Sequence, residues 1–156
     1  MTGVQTCALP ISLLFEEFLV REAAAGRLKL PLGAIAGQAL VHGHCHQKSF
    51  GAFKPVEKTL RLIPELKVET IESSCCGMAG AFGYGADTYE ASIEMAELSL
   101  LPAVRQAEAG TIVVADGTSC RHQIKDGAAR EAVHVARVLA MSLDRAKSPT
   151  SANAKE

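Results

Sequence analysis

The sequence predicts an α/β fold: a small parallel sheet flanked by helices, with cysteine loops at the carboxyl ends of three strands. Three observations point there. Short apolar or β-branched runs alternate along the chain with longer stretches of helical periodicity. The clearest run, Thr111 to Ala115 (TIVVA), is apolar on both faces, as a strand inside a parallel sheet must be. Each short run also leads into a cysteine.

The elements follow in order. Leu13 to Leu28 reads as an amphipathic helix with Leu14, Phe15, Phe18 and Leu19 along one side and Gly26 as its stop. Residues 29 to 37 carry Pro and Gly and form a connector. Gln38 to Gly43 (QALVHG) fits a buried strand that runs straight into His44-Cys45-His46. Pro55 to Ile63 supplies a helix with Pro55 in its first turn and Val56, Leu60 and Ile63 at helical spacing. Lys67 to Glu72 alternates as a strand and leads to Ser73-Ser74-Cys75-Cys76-Gly77. Four glycines in residues 77 to 85 (GMAGAFGYG) predict a tight, irregular loop, and its spacing is not that of a phosphate-binding loop. Asp87 is placed to cap a helix carrying Ile93, Ala96 and Leu100, which Pro102 kinks or restarts. The TIVVA strand delivers Asp116-Gly117-Thr118-Ser119-Cys120, and residues 130 to 143 form a last helix.

Length and composition are those of one ordinary globular domain: 156 residues, 48% hydrophobic and 21% charged, enough to bury a core. Sixteen basic and seventeen acidic residues are interspersed, for a net charge of −1. That balance gives no footprint for nucleic acid or an anionic membrane. No apolar run approaches the roughly 20 residues of a transmembrane helix, so the chain is expected to be cytoplasmic, with no transmembrane segment. No basic stretch precedes the short run Cys7 to Leu14, so no signal peptide is expected. Met1 to Ile11 (MTGVQTCALPI) reads as a translated sequencing adapter rather than native chain, which sets Cys7 aside. The organisation expected is an adapter-like leader at 1–11, one domain at 12–143, and a polar, Pro/Ser/Lys-rich disordered tail at 144–156.

Four cysteines remain: Cys45, Cys75, Cys76 and Cys120. Disulfides fit poorly, because the chain is too long and apolar to need staples and the vicinal Cys75-Cys76 pair cannot bridge without strain. In a parallel sheet the three cysteine stations fall along one edge, where open α/β folds place their sites. Four thiolates there suit a [4Fe–4S] cluster or a tetrahedral Zn²⁺, since unpaired thiolates packed together would repel. Gly77, Gly80, Gly83 and Gly85 let backbone approach such a core and present N–H donors to it. His44 and His46 are candidates for supporting hydrogen bonds, contact with an electron donor, or ligation. His122, two residues past Cys120, is a candidate further ligand. His42, His44 and His46 alternate, so in an extended strand they would share one face and form a His₃ set. His134, on the apolar last helix, reads as a satisfied core histidine.

The pattern Cys45-x29-Cys75-Cys76-Gly77-x42-Cys120 resembles the cysteine-rich CCG domain. That domain occurs in heterodisulfide reductase B subunits, glycolate oxidase iron–sulfur subunits and the C subunit of anaerobic glycerol-3-phosphate dehydrogenase. The stretches HGHCHQKSFGA, ESSCCGMAGAFGYG and ADGTSCRHQI look closer still to the C-terminal ends of FAD-linked iron–sulfur D-2-hydroxyacid dehydrogenases of the D-lactate, glycolate or 2-hydroxyglutarate type. The resemblance covers roughly residues 13 to 143. It implies that Cys45, Cys75, Cys76 and Cys120 hold the cofactor, and that Gly117 stands where the family has the first cysteine of a C-x-x-C. Family members with all five cysteines can hold a non-cubane cluster; four put that form in doubt.

What the resemblance implies for function is an iron–sulfur electron-transfer domain of an FAD-dependent 2-hydroxyacid oxidoreductase. FAD would bind elsewhere in the parent enzyme, so the chain alone would not be catalytic. Its partners would be the parent's flavin and ferredoxin-like domains and a downstream electron acceptor. Through that parent it could sit peripherally at the inner face of the membrane. Two alternatives stay open: a structural zinc-binding docking module, and a thiol/disulfide redox module using Cys75-Cys76.

Overall fold

The computed structural model describes residues 12–73 and 75–147. The leader at 1–11 and positions 148–156 of the expected tail lie outside the described residues. Within them the predicted fold class is found: four parallel strands with helices on both faces.

Helix α1 (Phe15–Ala24) is shorter than its periodicity suggests, because Gly26 at φ +66° ends it and Arg27 N–H returns to the Glu22 carbonyl. Strand β1 (Gly37–His42) is followed by a one-turn helix, α2 (Cys45–Ser49), and by α3 (Phe53–Leu60), which holds Pro55 in its first turn. Strand β2 (Leu66–Thr70) lies at the sheet edge and shows the expected alternating exposure. After a 3₁₀ turn (Phe82–Tyr84) come α4 (Tyr89–Glu97) and α5 (Leu100–Gln106). Thr88, not Asp87, is the residue that precedes α4, and neither side chain caps it. Pro102 sits in the first turn of α5, so the restart option is the one realised. Strand β3 (Ile112–Ala115) leads to α6 (Thr118–Ala128), a two-residue strand β4 (Ala132–Val133), and α7 (Val135–Lys147). The last helix therefore continues into the stretch read as tail.

The sheet order is β2-β1-β3-β4, all parallel. Side-chain alternation divides the interior in two. Ala39, Val41 and Val114 face α1, α3 and α7, packing with Leu19, Val56, Leu60, Val135 and Val138. Leu40, Val113 and Ala115 face the other way, against Leu100 and Val104 of α5 and Ile124 of α6. Each such fully buried aliphatic side chain contributes about 1.5–3 kcal/mol. Cys76 and Cys120 belong to this second cluster, so the site grows directly out of one face of the core.

Candidate metal centre

Strand order reverses between β1 and β3: the chain leaves β1 for β2 on one side and returns to β3 on the other. The carboxyl ends of those two strands form the switch point at which open α/β sheets leave a crevice. Cys45 opens α2 just after β1, the Cys75-Cys76 pair lies in the loop after β2, and Cys120 sits in the first turn of α6 after β3. The stations are thus where the sequence places them, with one correction. Two of the three are helix starts rather than loops.

The four cysteines carry free thiols and are not equivalent. Cys76 and Cys120 are buried with their sulfurs 3.2 Å apart; Cys45 and Cys75 are half-buried at the rim. The Cys120 thiol donating to Cys76 holds the Cys76 pKa well below the ordinary thiol range, helped by the neighbouring His42 ring and an N–H bond from Met78. The same contact, with burial, pushes Cys120 up. A Gly77 N–H donates to Cys75 Sγ at 3.3 Å. Gly77 has φ +87°, and a Cβ there would lie 2.0 Å from the Ser92 carbonyl oxygen, so the turn of the Cys-Cys-Gly motif requires glycine.

Sequence reasoning missed Lys48 here and gave His42 the wrong companions. Lys48, on the turn that begins with Cys45, donates to the Ser73 carbonyl. Burial lowers its pKa, while the nearby cysteines, Cys120 first among them, pull it up. The other is His42. By alternation it shares the face of Leu40, and its register partner is Ala115. It is 2% exposed, its Nδ1 lies 2.8 Å from Ser73 Oγ, and its Nε2 has no hydrogen-bond partner among the described residues. A ring nitrogen of His42 and the sulfurs of Cys76 and Cys120 all lie within 4.8 Å of one another. An unmatched polar atom in the interior costs about 1–3 kcal/mol, so it points to something that belongs there. The signal was available in the sequence as a histidine two residues after Leu40 on a buried strand.

The remaining histidines are placed differently from expectation. His42, His44 and His46 do not share a face, because β1 ends at His42 and a helix begins at Cys45. His44 caps that helix, with Nδ1 accepting the His46 N–H at 3.3 Å, and burial lowers its pKa. His122 is exposed and lies 2.7 Å from Tyr84 Oη through Nδ1. Two positions along a helix is more than half a turn, so it points away from Cys120. His134 is not a core residue: its Nδ1 accepts the Ala136 N–H at the start of α7, and its Nε2 lies 3.6 Å from Asp116 Oδ1.

A cavity of about 440 Å³ opens at the same strand ends, lined by His44, His46 and Gln47 after β1, Asp116 and Gly117 after β3, and Phe15 of α1. A Cβ on Gly117 would lie 2.9 Å from Cys120 Sγ and 2.2 Å from His44 Cδ2. Position 117 therefore does face the thiolates, and the His44 ring takes the space a side chain there would need. Among the described residues no helix is long and apolar enough to cross a membrane.

No protein-family profile matches the chain, and no solved structure does. Curated proteins do. The chain is 30% identical over 116 residues, 73% of its length, to the C subunit of anaerobic glycerol-3-phosphate dehydrogenase from Escherichia coli (strain K12), covering 28% of that protein. It is 30% identical over 114 residues, 71% of its length, to D-2-hydroxyglutarate dehydrogenase of the same organism, covering 11% of it. The chain thus spans between a tenth and a third of the relatives it matches. With its cysteine and histidine groups at the switch point of a parallel sheet, it is similar to one segment of larger dehydrogenase polypeptides, an oxidoreductase-associated domain.

Proposed function

We propose that this chain is the iron–sulfur-binding, electron-transfer domain of an FAD-dependent 2-hydroxyacid oxidoreductase, with Cys45, Cys75, Cys76 and Cys120 as cluster ligands. The observation that carries the reading is the buried Cys76–Cys120 contact with His42 beside it, while Cys45 and Cys75 stand half-buried on the neighbouring stations. Buried thiolates need a cation, and this donor set fits one: soft sulfur ligands suit iron–sulfur clusters. When bound, such a cluster supplies a one-electron redox centre, probed most simply as a [4Fe–4S] form.

The chain's own residues have separable tasks. Cys76 and Cys120 anchor the group inside the core, and Cys45 and Cys75 close it at the rim. Lys48 offsets thiolate charge, which favours the reduced state, as do N–H donors to sulfur. The cavity bounded by His44, His46 and Gly117 opens at Gly117, whose Cβ position faces Cys120 Sγ, and gives an approach for a partner domain or acceptor. The flavin chemistry, the hydroxyacid and the ferredoxin-like domains belong to the rest of the parent enzyme, through which the domain would lie in the cytoplasm or against the inner face of the membrane. Alone, the chain relays electrons and oxidises no substrate.

A structural zinc site is the second reading, favoured by the mixed nitrogen and sulfur group of His42, Cys76 and Cys120. Metal analysis of protein purified without oxygen and reconstituted with iron and sulfide separates the two. Iron with acid-labile sulfide and a visible charge-transfer band, lost in Cys76→Ser and Cys120→Ser, is the expected result. Zinc alone, or no metal, sinks the iron–sulfur reading.

A further inference from the structure

We infer that His42 is a nitrogen ligand to the metal group held by the cysteines, making the site a mixed imidazole–thiolate centre. This rests on the metal-binding reading above and deepens it. Three independent observations converge on the assignment.

The first is placement. His42 is the last residue of β1, and strand alternation turns it toward the face that carries Val113, Ala115, Cys76 and Cys120. The second is the unmatched atom. In a residue 2% exposed, Nε2 has no hydrogen-bond partner among the described residues, and a ring nitrogen lies within 4.8 Å of both buried sulfurs. The third is orientation. Nδ1 is 2.8 Å from Ser73 Oγ, on the loop that continues to Cys75. A ring proton on Nδ1, donated to that oxygen, would leave the Nε2 lone pair available to a metal in place of the ring's contact with Cys76. Metal-bound histidines are held in this way, their second nitrogen fixed by a hydrogen-bond partner that sets the tautomer. Ser73 is thus the positioning residue and His42 the ligand.

The consequence is electronic. A neutral imidazole in place of a thiolate removes one negative charge from the centre, and histidine-for-cysteine exchange raises the potential of an iron–sulfur cluster. The site also lacks a thiol at Gly117, the position whose Cβ would face Cys120 Sγ. His42 supplies a ligand atom from the neighbouring strand end without needing that position.

The test uses the full chain, reconstituted anaerobically with iron and sulfide, reduced, and studied by pulsed EPR with natural and ¹⁵N-labelled histidine. A strongly coupled nitrogen that changes with the isotope is expected. It should vanish in His42→Gln, persist in His44→Gln, and give way in His42→Cys to a centre of lower reduction potential. An iron-loaded, EPR-active protein with no strongly coupled histidine nitrogen overturns the ligand assignment while leaving the iron–sulfur reading intact. If the chain takes up zinc instead, the iron–sulfur reading fails. X-ray absorption at the zinc edge then judges His42: a nitrogen shell lost in His42→Gln supports it, and a pure sulfur shell overturns it. A chain that binds neither metal overturns both.

Discussion

Replacing Gly77 by alanine should destabilise the protein far more than replacing Gly80, although both glycines have left-handed backbone, at φ +87° and +71°. Forcing a side chain into that region costs about 1–2 kcal/mol at either position. At Gly80 nothing lies within 4 Å of the added Cβ, so that is the whole penalty. At Gly77 the Cβ falls 2.0 Å from the Ser92 carbonyl oxygen and 3.1 Å from Gln123 Nε2. Neither can step aside, because Ser92 is part of α4 and its carbonyl accepts from Gln123 Nε2 at 3.0 Å. Overpacking of this kind adds about 1–3 kcal/mol. Gly77→Ala should therefore lose about 2–5 kcal/mol and Gly80→Ala about 1–2. Urea unfolding of reduced, metal-free protein, followed by circular dichroism, reads the difference as midpoints separated by about 1 M. Coincident midpoints would refute the claim that the Cys-Cys-Gly turn is locked against α4.

Three other outcomes follow from the same geometry. Burial, with the Asp116 charge adding to it, raises the pKa of Glu16, so the folded state keeps that proton longer than the unfolded chain does. Stability is then lost as pH rises from the ordinary carboxylate range through the raised value. Glu16→Gln should gain on the parent at neutral pH and match it at about pH 4, measured by urea midpoints; an equal difference at both pH values contradicts this. In metal-free protein, brief treatment with a bulky maleimide should label half-buried Cys45 and Cys75 before buried Cys76 and Cys120, as peptide mapping will show. His122→Ala should retain its full metal content, because His122 pairs with Tyr84 on the outside of α6; loss of metal would return it to the ligand set.

The fold class was legible because the clearest strand is apolar on both faces and the helices between strands are strongly periodic. Helix α6 was not legible, for a physical reason. Its buried stripe is Cys120, Gln123 and Ile124, correctly spaced for a helix but disguised by two residues that do not read as hydrophobic. Strand β4 has two residues, too few to show any period. The placement of the four cysteines along one sheet edge was legible because their stations follow strand ends. Their division into a buried pair and a half-buried pair was not, since it depends on how the loop after β2 folds over the Leu40 face. His42 was grouped with histidines that turned out to lie on a helix cap and a helix, and Lys48 reads as an ordinary surface lysine until α2 brings it to the Ser73 carbonyl beside the cysteine loop.

Spectroelectrochemical titration of the anaerobically reconstituted chain tests the central claim most directly. The proposed electron-transfer role predicts one reversible one-electron step, seen as bleaching of the visible band together with the growth of an EPR signal, and abolished in Cys76→Ser. A metal-loaded protein that shows no redox step across the accessible range would contradict it and assign the site a structural role.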